Sequence, residues 1–334
     1  MEAGVRAPSS QIATIKAQHA HSGRIGLCSR FKSVRRRTLL SLELMHAAAT
    51  EAHSAALRTL LRSVGQIVLQ ANAFTGACVI AGWLLWDPRL ACAALTGAVA
   101  ANVSAVLAGY PDDDLRAGLH GFNGALAGLA AFSFIADTAT ATAIAILAAT
   151  GTAWLLAPWT QWLRARGLSY FSSPCLLVTW LWLPLIANAP IANAPLRAPA
   201  AHTFGVAEFL SGTLAGLAQT GFASGVPAGA LVLIGIAAAS PRHALYALTG
   251  AALTSGEHLL LGAPASSFDA GLLGFNGALT ALALADYGAA WMLGGVTLSA
   301  IGQAGAAYLG LPALSAPFVA ATWGAQWLRQ RMTS

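Results

Sequence analysis

The sequence GLHGFNGAL at residues 118–126 returns as GLLGFNGAL at residues 271–279, with eight of nine positions identical. The two stretches are 153 residues apart, and the same spacing carries Gln66 onto Gln219. Self-similarity at a fixed spacing is the sequence mark of a repeated structural unit. The motif therefore predicts a fold made of two homologous halves.

A third motif strengthens this interpretation. SSPC at residues 172–175, followed by Trp180, matches SAPF at residues 315–318, followed by Trp323, at a spacing of 143 residues. All three motifs keep their order along the chain. An internal duplication explains that order, because unrelated segments would not preserve it.

Composition places the duplicated unit in a membrane. The chain has 334 residues, of which 57% are hydrophobic and 9% charged, and its mean hydropathy is +0.64. Soluble domains carry about 25% charged residues. Apolar stretches such as Gly65–Trp86, Leu90–Ala108 and Thr138–Trp159, and the one from Ala228 to Ser240 and beyond, approach the roughly 20 residues that a spanning helix needs. We expect an all-α integral membrane protein.

The net charge of +6 comes from the start of the chain. Residues 1–44 hold eight Lys and Arg and two acids, and the remaining 290 residues hold ten of each. We interpret 1–44 as a disordered basic cytoplasmic leader, 45–187 as the first membrane repeat, 188–205 as a Pro-rich linker and 206–334 as the second repeat with a basic C-terminus. Translation from Met45 instead of the first Met stays open.

An odd number of crossings in each half would invert the second half relative to the first. Inverted repeats form binding sites at their interface near the bilayer midplane, often from broken helices. After each GFNG sequence only about a dozen apolar residues follow, up to Asp137 and Asp286. Such short runs predict re-entrant half-helices rather than full crossings.

The motifs resemble those of the urea transporter family, of bacterial type, over about residues 55–328. The resembling stretches are GQIVLQAN at 65–72, LHGFNG at 119–124, LSYFSSP at 168–174, Gln219, LLGFNG at 272–277 and LPALSAPF at 311–318. The resemblance implies a passive urea channel in the bacterial inner membrane. It also implies a homotrimer, each protomer having ten spanning helices and two re-entrant half-helices around its own pore.

The resemblance also assigns residues to the pore. Gln66 and Gln219 supply side-chain oxygens, and Phe122 and Phe275 are the rings of a slot. The remaining assignments are Leu126 and Leu279 as apolar wall, Ser172 and Ser315 as mid-pore hydroxyls, and Leu69 and Phe222 at a second ring position. Leu69 stands where many members of the family have Phe. Cys175 stands where the family has Phe, whereas the matching position of the second half keeps it as Phe318. These two differences leave the width of the slot open.

The physical chemistry of urea suits these residue types. Urea is neutral, flat and rich in N–H donors, and removing water from amide groups without replacement costs several kcal/mol. Neutral Gln and Ser oxygens replace those bonds without trapping ions. Aromatic faces contact a flat solute. No cofactor or metal is expected, and we expect urea or a small amide as solute, contact with membrane lipid, and no nucleic acid partner.

Structural alternatives exist for each residue. The glutamines are also candidates for hydrogen bonds between helices, the phenylalanines for packing, and the serines for bonds to their own helix backbone. For Asn123 and Asn276, which follow the two Phe residues, a structural role in capping or bracing the re-entrant turn is favoured.

Other functions predict other residues. A proton- or sodium-coupled transporter needs ionisable groups inside the membrane, and the unrepeated Glu257 and His258 are the best candidates. An ammonium channel favours paired histidines, whereas His120 falls on a leucine in the second copy of the motif and not on a second His. An enzyme needs a metal motif or a nucleophile beside a base, and the sequence shows neither. A purely structural protein leaves the repeated polar residues unexplained. We therefore expect a channel and not an enzyme, with altered selectivity or coupled transport as the alternatives.

Overall fold

Every regular element in the computed structural model, which describes residues 55–186 and 205–333, is a helix. The described residues from Leu57 onward form one compact unit. The leader interpreted at 1–44 and nearly all of the linker at 188–205 lie outside the described residues. Within the described ranges, the all-α prediction holds.

The helices of the two halves follow the same order. The first half contains α1 (55–65), α2 (Ala73–Trp86), α3 (Pro88–Leu107), α4 (Asp112–Arg116), α5 (Gly121–Phe134), α6 (Thr138–Arg164) and α7 (Ser173–Ile186). The second half contains α8 (Val206–Gln219), α9 (Val226–Ala239), α10 (Pro241–Leu260), α11 (Ala265–Asp269), α12 (Phe275–Leu284), α13 (Ala289–Tyr308) and α14 (Ala316–Thr333). Short 3₁₀ segments cover Gln66–Val68 and Ala285–Tyr287. The duplication therefore extends from the motifs to the secondary structure.

One-residue breaks precede α3 and α10, and the sequence explains both. Asp87 caps α3 by accepting a hydrogen bond from the backbone N of Arg89 at 2.9 Å, and Ser240 caps α10 by accepting one from the backbone N of His243 at 3.2 Å. A proline follows each cap at the first helical position, where its missing N–H costs nothing.

At the start of α6, hydrogen bonds from the side chain and the backbone of Thr140 lower the pKa of the Asp137 carboxyl.

The first apolar stretch differs from the continuous span expected over Gly65–Trp86. A break between residues 68 and 73 bends the chain by 75° between the helix at Ala55–Val68 and α2. Leu69 has a left-handed backbone there, with φ of 57°, and Asn72 starts the next helix by accepting from the backbone N of Phe74 at 2.8 Å. A leucine in this conformation gives no local signal, so the apolar pattern alone suggests an unbroken helix.

Glycines set the closest helix contacts at matching positions of the two halves. A Cβ atom at Gly97 on α3 would collide with the carbonyl oxygen of Gly124 on α5, and one at Gly250 on α10 would collide with that of Gly277 on α12. Small residues let membrane helices approach closely enough for good packing. These crossings hold the two GFNG helices, α5 and α12, against the long helices α3 and α10.

The two halves pack on each other through α2 and α9. Trp83 on α2 is 1% exposed, and its indole N–H donates to the carbonyl oxygen of Gly221 at 2.7 Å. Thr75 donates from its hydroxyl to the carbonyl oxygen of Gly235 on α9 at 2.7 Å. Side-chain bonds to partner backbone thus fix the contact between the halves.

Some of the helices are long enough to cross a bilayer, and others are too short. Among the described residues, α3 and α6 are long and apolar enough to cross a bilayer, and the bent pair of α1 and α2 makes a third candidate if it is one span. Three further apolar helices, α5, α7 and α9, are shorter, at 14 residues each. Short apolar helices beside long ones agree with an embedded protein that contains broken elements.

Candidate functional site

Four residues with a left-handed backbone lie at matching positions of the two halves. In the described ranges, the non-glycine residues with positive φ are Leu69 at 57°, Phe222 at 62°, Phe171 at 45° and Leu314 at 48°. They form two pairs at the spacings of the motifs, 153 and 143 residues. Such conformations cost roughly 1–3 kcal/mol each and persist where the surroundings fix them, often at functional sites.

The buried asparagines of the GFNG motifs hold two of these strained turns. Asn123 donates from Nδ2 to the carbonyl oxygen of Phe171 at 3.2 Å and accepts at Oδ1 from the backbone N of Cys175 at 3.1 Å. Both asparagines are 0% exposed. Their bonds satisfy backbone groups that begin a helix inside the protein, where water cannot replace them.

Asn276 repeats the arrangement in the second half. Its Nδ2 donates to the carbonyl oxygen of Leu314 at 3.1 Å, and its Oδ1 accepts from the backbone N of Phe318 at 3.3 Å. The hydrogen bonds agree with the structural role expected for both asparagines, but the turns that they hold precede α7 and α14. We call this arrangement the asparagine brace.

Two tryptophans join the third motifs across the halves. Trp180 on α7 donates from Nε1 to the carbonyl oxygen of Pro312 at 2.9 Å, and Trp323 on α14 donates to that of Ser169 at 2.7 Å. Each tryptophan therefore binds the turn before the other half's helix. The reciprocal pair fixes α7 and α14 relative to each other.

The strained turns and both GFNG helices surround a cavity of about 630 Å³. Nine of the ten sequence-predicted site residues line it: Gln219, Phe122, Phe275, Leu126, Leu279, Ser172, Ser315, Leu69 and Phe222. They come from both halves of the chain. The repeated motifs thus converge on one space, which is the size of a small-molecule site.

Polar contact across the cavity is made by the two serines. The hydroxyls of Ser172 and Ser315 are 2.8 Å apart and hydrogen-bonded to each other, whichever of them donates. Ser172 and Phe122 are 6% and 4% exposed in the protein, so this part of the wall is well enclosed. A hydroxyl can donate and accept, so each serine can exchange its partner for a solute.

Gln66 differs from its counterpart. Its Nε2 donates to the carbonyl oxygen of Ala117 at 3.3 Å, in the turn after α4, and Gln66 is not among the cavity-lining residues. Gln219, in contrast, lines the cavity. The residues that follow Gln66, Ile67 and Leu69, do reach the cavity wall.

Sequence reasoning missed several polar lining residues: Ser133, Thr179, Thr220 and Gln303. Gln303 accepts at Oε1 from Nδ2 of Asn276 at 2.8 Å and donates from Nε2 to the carbonyl oxygen of Leu272 at 2.7 Å. It extends the second asparagine brace into the cavity. Gln303 lies outside the repeated motifs. Its amide side chain within the mostly apolar helix α13 was therefore the one feature of the sequence that could have pointed to it.

Charged side chains are absent from the described cavity wall: its lining includes no Asp, Glu, Lys, Arg or His. Glu257 instead accepts at Oε1 from the hydroxyl of Thr297 at 2.7 Å, between α10 and α13. His120 stacks on Tyr110 with ring centroids 4.8 Å apart. The part of the chain that the structure describes also holds no group of three or more His, Cys, Asp or Glu that could bind a metal ion.

A duplicated helical fold around a cavity without charged lining residues is typical of a membrane protein of the channel and transporter class. The family comparison agrees, because the profile of the family described as "Urea transporter" matches residues 57–330. The chain belongs to the urea transporter family, which consists of membrane-embedded transporters and not of enzymes.

A curated relative is similar to this chain. The rat (Rattus norvegicus) protein named "Urea transporter 1" is 25% identical over 242 residues, which are 67% of this chain and 62% of the rat protein. The chain thus matches less than two thirds of that relative's length. Both comparisons agree with the resemblance of the motifs to those of the urea transporter family.

Proposed function

We propose that this protein is a passive transmembrane channel for urea or a closely related small neutral amide. The observation that carries the proposal is the uncharged cavity between the two halves, with a pair of hydrogen-bonding serines at its wall. Membership of the urea transporter family and the name of the rat relative support urea as the solute.

The solute would enter without its water shell. Phe122 and Phe275 both line the cavity and offer apolar ring faces to a flat solute. Urea N–H groups would bond to the oxygens of Ser172, Ser315 and Gln219 in place of water. When the serines bind the solute they exchange their mutual bond for new ones, so entry leaves no hydroxyl without a partner.

Weak, neutral binding is what passage requires. A pore must replace the water of hydration without holding the solute so tightly that it cannot leave. Hydroxyl and amide oxygens meet this need, while a lining free of charged side chains in the described cavity gives hydrated ions no compensation for lost water. The position of Glu257 away from that lining favours a channel over an ion-coupled carrier.

For the membrane arrangement, we propose two inverted repeats with about ten crossings and two re-entrant half-helices, α5 and α12. The matching element order of the halves, the bend between α1 and α2, and the short apolar helices support this arrangement. Each protomer of a homotrimer would hold one pore, as the family resemblance implies.

For the orientation, we propose that both chain termini face the cytoplasm of a bacterial inner membrane. The bacterial assignment follows from the family resemblance alone. Arg164 ends α6 and Arg166 lies in the turn that follows it, while Arg329 and Arg331 lie in the last turn of α14. Gln330 donates from Nε2 to the carbonyl oxygen of Gly167 at 2.7 Å. The four arginines thus lie at one end of the molecule, and clustered Lys and Arg mark the cytoplasmic side.

Stopped-flow light scattering of proteoliposomes tests the function. With an outward or inward urea gradient and no pH or sodium gradient, we expect urea to cross much faster than through protein-free liposomes. A Trp154→Phe variant is a suitable control, because Trp154 is 63% exposed and does not line the cavity. Flux that appears only with a proton or sodium gradient would show a coupled carrier and contradict the proposal.

A further inference from the structure

A cluster of arginines and indoles lies where α6 ends and α14 ends. We call it the basic corner and define it as residues 159–167 and 326–331. These two ranges contain four arginines, and no acidic residue occurs in them or in the longer stretches 160–173 and 323–333 that overlap them. None of this cluster takes part in the cavity wall.

The guanidinium of Arg166, in the turn after α6, is held in place by the last turns of that helix. Its Cζ lies 3.8 Å from the ring centroid of Trp162, and its Nη1 donates to the carbonyl oxygen of Trp162 at 2.8 Å. Trp162, 46% exposed, stacks in turn on Trp159 with centroids 5.0 Å apart. The bond to the Trp162 carbonyl oxygen uses one of the five N–H donors of the Arg166 guanidinium. The indole of Trp162 fixes the plane of the guanidinium.

The second segment brings further arginines to the same place. Arg331 lies over Trp327 at 5.2 Å, and Arg329 lies over Tyr287 at 4.1 Å. Tyr287 follows Asp286, whose carboxylate is paired with Arg242 at 3.7 Å. Trp327 is 53% exposed. Exposed indoles beside arginines are typical of the membrane–water interface, where the ring enters the headgroup layer.

Hydrogen bonds between the segments make the basic corner rigid. Gln330 binds the carbonyl oxygen of Gly167, whose φ of 66° favours glycine. Ser169 donates from its backbone N to Oε1 of Gln326 at 3.1 Å, and Nε2 of Gln326 donates to the Ser169 hydroxyl at 3.0 Å. The arginines are therefore presented on a fixed frame, which lowers the entropy lost on binding a ligand.

We propose that the basic corner binds the headgroup of an anionic phospholipid. A lipid phosphate accepts the paired N–H groups of arginine, and the exposed indoles contact the glycerol and upper acyl region. Residues 1–44 of this chain are a poor occupant because they are themselves basic, with eight Lys and Arg against two acids. Charge complementarity and the position beside the bilayer both favour lipid.

Another arginine gives a matched comparison. Arg89 lies over Phe132 at 5.9 Å, but its neighbourhood includes the carboxylate of Asp87, two residues earlier. A carboxylate two residues away in the chain lowers the positive potential around Arg89 and so its attraction for a phosphate. Arg89 therefore has the same aromatic contact without the basic surroundings.

The test uses the purified full chain in a non-ionic detergent with an equimolar mixture of phosphatidylglycerol and phosphatidylcholine. Lipids retained per chain are counted by native mass spectrometry. We expect the native protein to prefer phosphatidylglycerol, and Arg164→Gln with Arg166→Gln to lower that preference about tenfold or more. Arg89→Gln should retain the native preference. Equal retention by the double variant, or an equal loss in Arg89→Gln, overturns the proposal.

Two further measurements use the native protein and so need no substitution that could destabilise it. On the native protein, the preference for phosphatidylglycerol should fall as sodium chloride is raised, because the contact is ionic and exposed; a preference independent of salt contradicts the proposal. Excess inorganic phosphate should not displace the lipid. Displacement by phosphate would show a simple anion site instead of a lipid site. None of these outcomes depends on urea transport.

Discussion

At the third motif the first half of the chain presents Cys175 to the cavity, whereas the second half presents Phe318. The backbone around both residues is nevertheless held by the same asparagine brace. The halves differ in the same way at Leu69 and Phe222, which share a left-handed backbone but not a side chain. The comparison teaches that the duplicated frame is kept while the lining diverges, so the frame and the lining can be tested separately.

The largest expected effect comes from breaking the frame. Asn123→Ala leaves the Phe171 carbonyl and the Cys175 N–H without a side-chain partner, at roughly 1–3 kcal/mol for each buried group. Asn276→Ala should cost about 1 kcal/mol more, because Gln303 also loses its bond to this residue. Thermal unfolding in detergent measures both variants.

The outcome that contradicts this prediction is specific. If Asn123→Ala were the more damaging variant, or if neither lowered the unfolding temperature, the braces would not support the two turns. Trp154→Phe serves as the baseline for substitution of an exposed residue.

The next effect separates the two glutamines. Gln219 lines the cavity, so Gln219→Ala should lower urea flux about fivefold, the equivalent of one net hydrogen bond of about 1 kcal/mol. Gln66 bonds to the Ala117 carbonyl, so Gln66→Ala should lower stability more than flux. Proteoliposome flux at matched protein content distinguishes them, and a larger flux loss in Gln66→Ala would reverse the assignment.

Smaller changes are expected at the serine pair. Ser172→Ala and Ser315→Ala should each lower urea flux about two- to threefold, because one hydroxyl remains to receive the solute. The double variant should lose more than either single variant. Unchanged flux in all three would mean that the solute does not contact this pair.

The smallest effect concerns solute choice rather than rate. Leu69→Phe makes the first half resemble the second and narrows the cavity, so methylurea flux should fall more than urea flux, with a ratio change of about twofold. Phe222→Leu should shift the ratio in the opposite direction. Identical shifts in both variants would show that the two positions do not face one passage.

The sequence alone was enough to predict the helical class and the repeated order of the motifs, and nine of the ten site residues that it suggested line the cavity. Repeated motifs report such features because each copy is held by the same local requirements. The bend before α2 was missed, since its left-handed residue is a leucine that only tertiary contacts keep in place. Gln303 and the bond between Ser172 and Ser315 were missed because each depends on partners far away in the sequence.

The reciprocal tryptophan bonds have a consequence for synthesis of the chain. Trp180 leaves the ribosome long before Pro312, whose carbonyl oxygen it binds. The first half therefore enters the bilayer with Trp180 still without its partner, although Asn123 can already hold the turn before α7. The contact between α7 and α14 is made late in synthesis, and a first half truncated before α8 would lack it.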